Sequence, residues 1–191
     1  MTTEGAISCR YHPAEGEHAI LWVFGAGVGL GGPAGGLYTR LGSRFRESGT
    51  ASLELDYRRP GYLEDCTLDV VVGLAYLESL GKSRIVLVGH SFGGAVAVNA
   101  GVISDSVIAV AALSSQTAGT QGVGKLSPKP VIFIHGKKDE ILPSACSIDL
   151  HTQAGEPKEL ILYPGCFHGL DQCQEALDRD LSRWLRDVLA A

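Results

Sequence analysis

Charge is scarce in this chain. Of its 191 residues only 19% are Asp, Glu, Lys or Arg, and the acidic ones outnumber the basic ones, 21 to 16, for a net charge of −5. The basic residues are dispersed apart from pairs such as Arg58-Arg59 and Lys137-Lys138, so no positive stripe faces the phosphates of nucleic acid or an anionic membrane. Neither is expected as a partner, and the acidity speaks for solubility. No run approaches the roughly 20 apolar residues of a membrane span. Cysteines are few and odd in number: Cys9, Cys66, Cys146, Cys166 and Cys173. A chain this long needs no covalent staples, and no basic, apolar leader opens it, so reduced thiols in the cytoplasm are the expectation. What is plentiful is apolar residues, 45%, and glycine, 25 residues. That composition predicts one globular domain over 1–191 with a single core.

Short apolar runs alternate with helical spacings along the whole chain. Strands are predicted at Ile7 to Tyr11, His18 to Phe24, Ala51 to Tyr57, from Ile85 into Gly89, Val107 to Leu113, Pro130 to Ile134 and Leu160 to Tyr163. Helices are predicted through Leu37, Tyr38, Leu41 and Phe45, from Tyr62 to Leu80 before Gly81, up to about Val102, near Pro143 to Gln153, and along the stripe Leu177, Leu181, Trp184, Leu185 and Val188. Strand-helix alternation of this kind predicts an α/β fold with a mostly parallel central sheet and helices on both faces.

Chemistry enters at Ile85 to Gly94, where an apolar strand runs into Gly89-His90-Ser91-Phe92-Gly93 and then into the small residues Ala95 to Ala100. A Gly-x-Ser-x-Gly bend between strand and helix lifts the serine hydroxyl above a parallel sheet, with the helix N-terminus beneath it. Ser91 is therefore the expected nucleophile. A serine hydroxyl needs a base, and the base needs a carboxylate. Asp139 follows the strand that ends near Ile134, and His168 follows the one that ends at Tyr163, so both lie on loops at the carboxyl edge of a parallel sheet with Ser91. Asp56 and Asp65 compete for the acid role. Asp56 is read instead as anchoring the Arg58 to Gly61 turn. His90 is expected to point away from the nucleophile, and His135 to be a packed histidine closing its strand. A zinc reading of Cys166, His168 and Cys173 lacks a fourth ligand, so no metal and no organic cofactor is expected.

The order Ser91, Asp139, His168 resembles that of the α/β-hydrolases, and the likeness runs from Ala19 to the last helix. In character the chain is similar to compact, lidless serine esterases of the dienelactone-hydrolase-like kind, with serine where dienelactone hydrolases proper use cysteine. The resemblance implies an oxyanion hole of two backbone N–H groups. Phe92, next after the nucleophile, would supply one. Ala26 would supply the other, from Phe24-Gly25-Ala26, which stands where the family often has His-Gly-x. It also implies no large cap domain, since the connection from Leu113 to Pro130 is short.

The function read from these residues is hydrolysis of a carboxylic ester or thioester through an acyl-enzyme on Ser91. The substrate is then a small-molecule acyl ester or thioester, and the oligomeric state stays open. An acyltransferase on the same triad and a non-catalytic binding protein of this fold are the alternatives. A third is an NAD(P)-binding protein, from Gly27-x-Gly29-x-x-Gly32 with Asp56 at the end of the next strand. Pro33, Gly35 and Gly36, which delay the helix that would hold a pyrophosphate, weigh against it.

Overall fold

The computed structural model describes residues 5–27 and 29–191. Seven strands form one sheet in the order β1-β3-β2-β4-β5-β6-β7: β1 (Ser8–His12), β2 (His18–Val23), β3 (Ala51–Asp56), β4 (Arg84–His90), β5 (Val107–Leu113), β6 (Val131–Gly136) and β7 (Lys158–Tyr163). Only β1, at one edge, runs antiparallel to its neighbour. All other pairings are parallel. This is the α/β architecture that the alternation predicts.

Period-two alternation divides the central strands between two cores. Leu21, Val23, Leu53, Leu55, Leu87 and Phe133 face one side, where α2 (Leu63–Ser79), α3 (Phe92–Ile103) and α4 (Ala145–Gln153) pack. Ile20, Trp22, Val86, Val88, Ile132 and Ile134 face the other, covered by α1 (Pro33–Glu47) and α5 (Gln174–Ala190). Because β2 and β4 are covered on both faces, their sequences read as unbroken apolar runs. The α5 stripe is buried as its spacing predicts: Leu177, Leu181 and Leu185 have no exposed surface, and each contributes about 2 kcal/mol by leaving water. Arg40 of α1 ties the two helices on that face through a bidentate pair with Asp178, both contacts 2.8 Å.

Local signals explain where elements begin and end. Helix α2 carries Glu64 and Asp65 in its first turn, where the helix dipole favours negative charge. It stops at Gly81, whose φ of +79° closes the last turn with an N–H to the carbonyl of Glu78. Helix α1 opens on Pro33, but Ala34, Gly35 and Gly36 are left-handed, so regular turns begin at Leu37. The connection from β5 to β6 holds one short 3-10 turn, Val123–Leu126, and no cap domain.

Two expectations need correction. Asp56 does not anchor the Arg58 turn. Its Oδ1 accepts the N–H of Gly29 at 3.0 Å, while the Arg58 turn is held by fully buried Asp69, which takes the Arg58 N–H at 2.8 Å and its Nε at 2.6 Å. Asp69 faces the sheet from α2 and had no sequence signal beyond its place on the helix. The thiols also differ: Cys166 and Cys173 are joined as a disulfide across the His168 loop, while Cys9, Cys66 and Cys146 are free. The backbone reverses at Leu170, with φ +60°, and the 3-10 turn Asp171–Cys173 brings the two Cα atoms to 5.9 Å. The argument for a reducing compartment from five unpaired thiols therefore does not carry over. Among the described residues, no helix is long and apolar enough to cross a membrane.

Candidate active site

Ser91 stands alone between β4 and α3, with φ +58° and ψ −124°. A non-glycine residue there is strained at a cost of about 1–3 kcal/mol, which the neighbours must offset. They do so with two hydrogen bonds: Ser91 N–H donates to the Leu113 carbonyl at 2.8 Å, and Gly94 N–H to the Ser91 carbonyl at 3.0 Å. Glycine is obligatory on either side. A Cβ on Gly89 would overlap the Gly93 carbonyl, and one on Gly93 would overlap the carbonyls of Phe24 and Val23 in β2. The bend is thus a close crossing of three backbones, which the Gly-x-Ser-x-Gly spacing makes room for.

The two loops from later strands meet this serine. His168 places Nε2 3.0 Å from Ser91 Oγ and Nδ1 2.7 Å from Asp139 Oδ2. Asp139 is wholly buried at its side chain, and its Oδ1 accepts the N–H groups of Ile141 at 2.9 Å and Leu142 at 2.8 Å. Burial pushes the Asp139 carboxyl up, but these two N–H groups and His168 outweigh it and hold it below the usual carboxylate range. All three residues singled out from the sequence are therefore brought within hydrogen-bond reach. The rival acids are engaged elsewhere: Asp56 with Gly29, and Asp65 in an ion pair with Arg59 at 2.7 Å.

The oxyanion donors expected from the sequence are the backbone N–H groups of Phe92 and Ala26. Phe92 opens α3, whose first-turn N–H groups have no acceptor within the helix. Ala26 follows Gly25, and Gly25 backs directly onto Ser91: a Cβ there would stand 3.4 Å from the Cβ of Ser91. Phe24 holds this turn through its carbonyl, which accepts the Tyr57 hydroxyl at 3.1 Å. The rest of the glycine-rich loop spends N–H groups on carboxylates, Gly29 on Asp56 and Gly31 on buried Glu54 at 2.7 Å. A loop already holding two carboxylates repels a pyrophosphate, which weighs against dinucleotide binding.

Two further histidines touch these residues. His135, on β6, lies 3.0 Å from Asp139 Oδ2 through its Nε2. His90, directly before Ser91 in the chain, packs against His168: its Nε2–H donates to the His168 carbonyl at 2.9 Å, and the two rings are 4.8 Å apart. The signal for His90 was the strand period itself, which puts positions 86, 88 and 90 on one face.

His90 is buried with no partner at Nδ1 among the described residues. Burial accordingly lowers its pKa from the ordinary 6.5 to about 4. Between those two values the unfolded chain binds a proton at this position that the folded chain refuses, so stability is intact above pH 6.5 and falls toward pH 4. The loss is about 3 kcal/mol. Urea unfolding at pH 7 and pH 4.5 is expected to show that slope reduced in His90→Gln, which keeps a donor for the His168 carbonyl but does not titrate. Equal slopes in the two proteins would place the acid sensitivity elsewhere.

The chain is similar to known proteins. The sequence profile of the alpha/beta hydrolase family matches residues 23–189, from the last residue of β2 to near the end of α5, and takes in every residue of the site. The uncharacterized protein YfhR of Escherichia coli K12 is 30% identical over 131 residues, covering 56% of this chain. The match takes in 46% of that relative, so the chain spans about half the length of the curated relatives it matches. Among solved structures, Est1E from Butyrivibrio proteoclasticus with ferulic acid bound superposes with a TM-score of 0.81 at 17% identity, over 97% of this chain and 96% of its own. An alpha-beta serine hydrolase homologue from Coxiella burnetii follows at TM-score 0.79 and 18% identity, over 95% and 94%. At such identities the likeness is one of fold.

Proposed function

Since this chain belongs to the alpha/beta hydrolase family, we propose that it is a serine hydrolase that cleaves a carboxylic ester or thioester through an acyl-enzyme on Ser91. The observation that carries this reading is the single imidazole of His168, bonded at one nitrogen to the serine hydroxyl and at the other to a buried carboxylate. In the resting arrangement Ser91 donates its proton to Nε2, and Nδ1–H donates to Asp139. As Oγ attacks the acyl carbon, the proton moves to Nε2, and the imidazolium forms against Asp139. The N–H groups of Phe92 and Ala26 are the donors assigned to the oxyanion. His168 then gives its proton to the departing alkoxide or thiolate. A water molecule, deprotonated by the same nitrogen, releases the acid.

Membership of the family does not by itself assign a reaction, so the reading rests on the site. Est1E, whose structure holds ferulic acid, supports testing carboxylic esters first. The short connection after β5 leaves the serine without a cap, which favours small acyl groups or acyl groups presented on a carrier.

Incubation with a fluorophosphonate, followed by mass spectrometry, is expected to place the phosphonyl group on the peptide that contains Ser91. An unlabelled protein would reject the enzyme reading in favour of a binding protein of this fold. Turnover of p-nitrophenyl acetate is expected to fall toward acid pH, because an imidazolium cannot accept the serine proton. A flat profile through the range where histidines titrate would exclude His168 as base. Faster release of the acyl group on adding alcohols or amines than in water alone would favour the acyltransferase.

A further inference from the structure

Oδ2 of Asp139 carries two imidazoles. His168 reaches it from the loop after β7 at 2.7 Å, and His135 reaches it from β6 at 3.0 Å. His135 is wholly buried, and its Nε2 also lies 3.0 Å from the Leu142 carbonyl. Two oxygens that only accept face that nitrogen, so it bears the proton. Nδ1 is 2.7 Å from the hydroxyl of buried Ser147 on α4, which must then be the donor. Every polar atom of this second imidazole is thereby committed, and none of it faces the space above Ser91.

Resting on the triad reading, we propose that His135 is a positioning residue for the base: it locks the Asp139 carboxylate and shares the oxygen that holds His168. With Ile141 and Leu142 N–H groups on Oδ1 and two imidazoles on Oδ2, the carboxylate has no freedom to rotate about its terminal bond. The sharing has an electronic consequence as well. A donor on Oδ2 withdraws negative charge from the contact with His168, so the proton taken from Ser91 is held less tightly and is returned more readily to the leaving group.

The charges around the base make this workable. Asp139 faces His168 on one side, the His90 ring packs at 4.8 Å on another, and Ser91 lies on the third, with His135 behind the carboxylate. One carboxylate balances one imidazolium, so His135 and His90 must stay neutral when His168 is charged. Burial lowers the pKa of both and keeps them so.

Two variants of the full chain separate this role from mere packing. His135→Leu fills the space without a donor, and His135→Gln retains an N–H near the place of Nε2. Two quantities are measured: the pH dependence of fluorophosphonate labelling at Ser91, and the proton resonance of the His168 Nδ1–H in the uninhibited protein. In His135→Leu the pH of half-maximal labelling is expected to rise by about one unit, and the resonance to move downfield as Oδ2 bonds to His168 alone. His135→Gln is expected to return both toward the starting values. A folded His135→Leu protein with an unchanged profile and resonance, or equal behaviour of the two variants, would overturn the proposal. Should His135→Leu fail to fold, Ser147→Ala frees the ring of His135 and is expected to move both readouts the same way by less; no movement would count against the proposal. If the starting protein takes no label, the serine-hydrolase reading falls, and the resonance alone decides whether His135 governs the Asp139–His168 bond.

Discussion

Ser91→Ala is expected to abolish fluorophosphonate labelling and to lower ester turnover by about 10⁴- to 10⁶-fold, leaving only what the oxyanion donors and binding contribute. The magnitude follows from the role proposed for the serine: it would convert attack by water into attack by a group already held 3.0 Å from His168. Its removal deletes one hydrogen bond to His168 and leaves the strained bend, the Leu113 carbonyl contact and both glycine crossings untouched. Unfolding midpoints of the two proteins are therefore expected to agree closely. His168→Ala should cost nearly as much, and the double variant little more than either, because the two act as one unit. Turnover of Ser91→Ala within 100-fold of the starting protein would show that another group performs the attack.

Gly93→Ala is expected to destabilise the fold by at least about 3 kcal/mol, and urea unfolding measures this directly. The added methyl would lie on the carbonyls of Phe24 and Val23. Val23 is the last residue of β2, paired on both sides, to β3 and β4, and Phe24 follows it, so neither has room to retreat. Gly165→Ala provides the control, since a Cβ there meets nothing within 4 Å; its effect should stay within about 0.5 kcal/mol. A mild effect at Gly93 would mean that α3 can slide away from β2, and the height of Ser91 above the sheet would then not be set by this crossing.

The site was legible to different depths. Ser91, Asp139 and His168 stood out because each follows an apolar run, and parallel strands gather their carboxyl ends at one edge. The partners of His135 and His90 are not legible in the sequence, because a histidine at a strand end has no periodic signature that tells a hydrogen-bonded partner from a buried filler. Their roles depend on Nε2 meeting Asp139 in one case and the His168 carbonyl in the other, contacts across 4 and 78 residues. The partner of Asp56 is hidden for a related reason. Its nearest sequence neighbours form a turn, yet its actual partner, Gly29, lies 27 residues earlier on the far side of a helix. Cys166 and Cys173 pair across a chain reversal in which Leu170 is left-handed, which an apolar residue seldom is and no local pattern announces.

The sequence alone determined the layers: period-two and period-3.6 spacings oblige each strand and helix to bury a particular face, and the alternation of the two leaves a parallel sheet as the way to bury them together. It also announced the glycine-flanked bend at Ser91, where the crowding at Gly89 is local to strand, turn and helix, while the crowding at Gly93 comes from the distant carbonyls of Val23 and Phe24. Only the tertiary structure decided which polar groups share a proton. Hydrogen bonds are directional and reach about 3 Å. Whether Asp139 holds one imidazole or two, and whether a loop of glycines faces a ligand or two carboxylates, depends on positions that the packed layers set within an ångström.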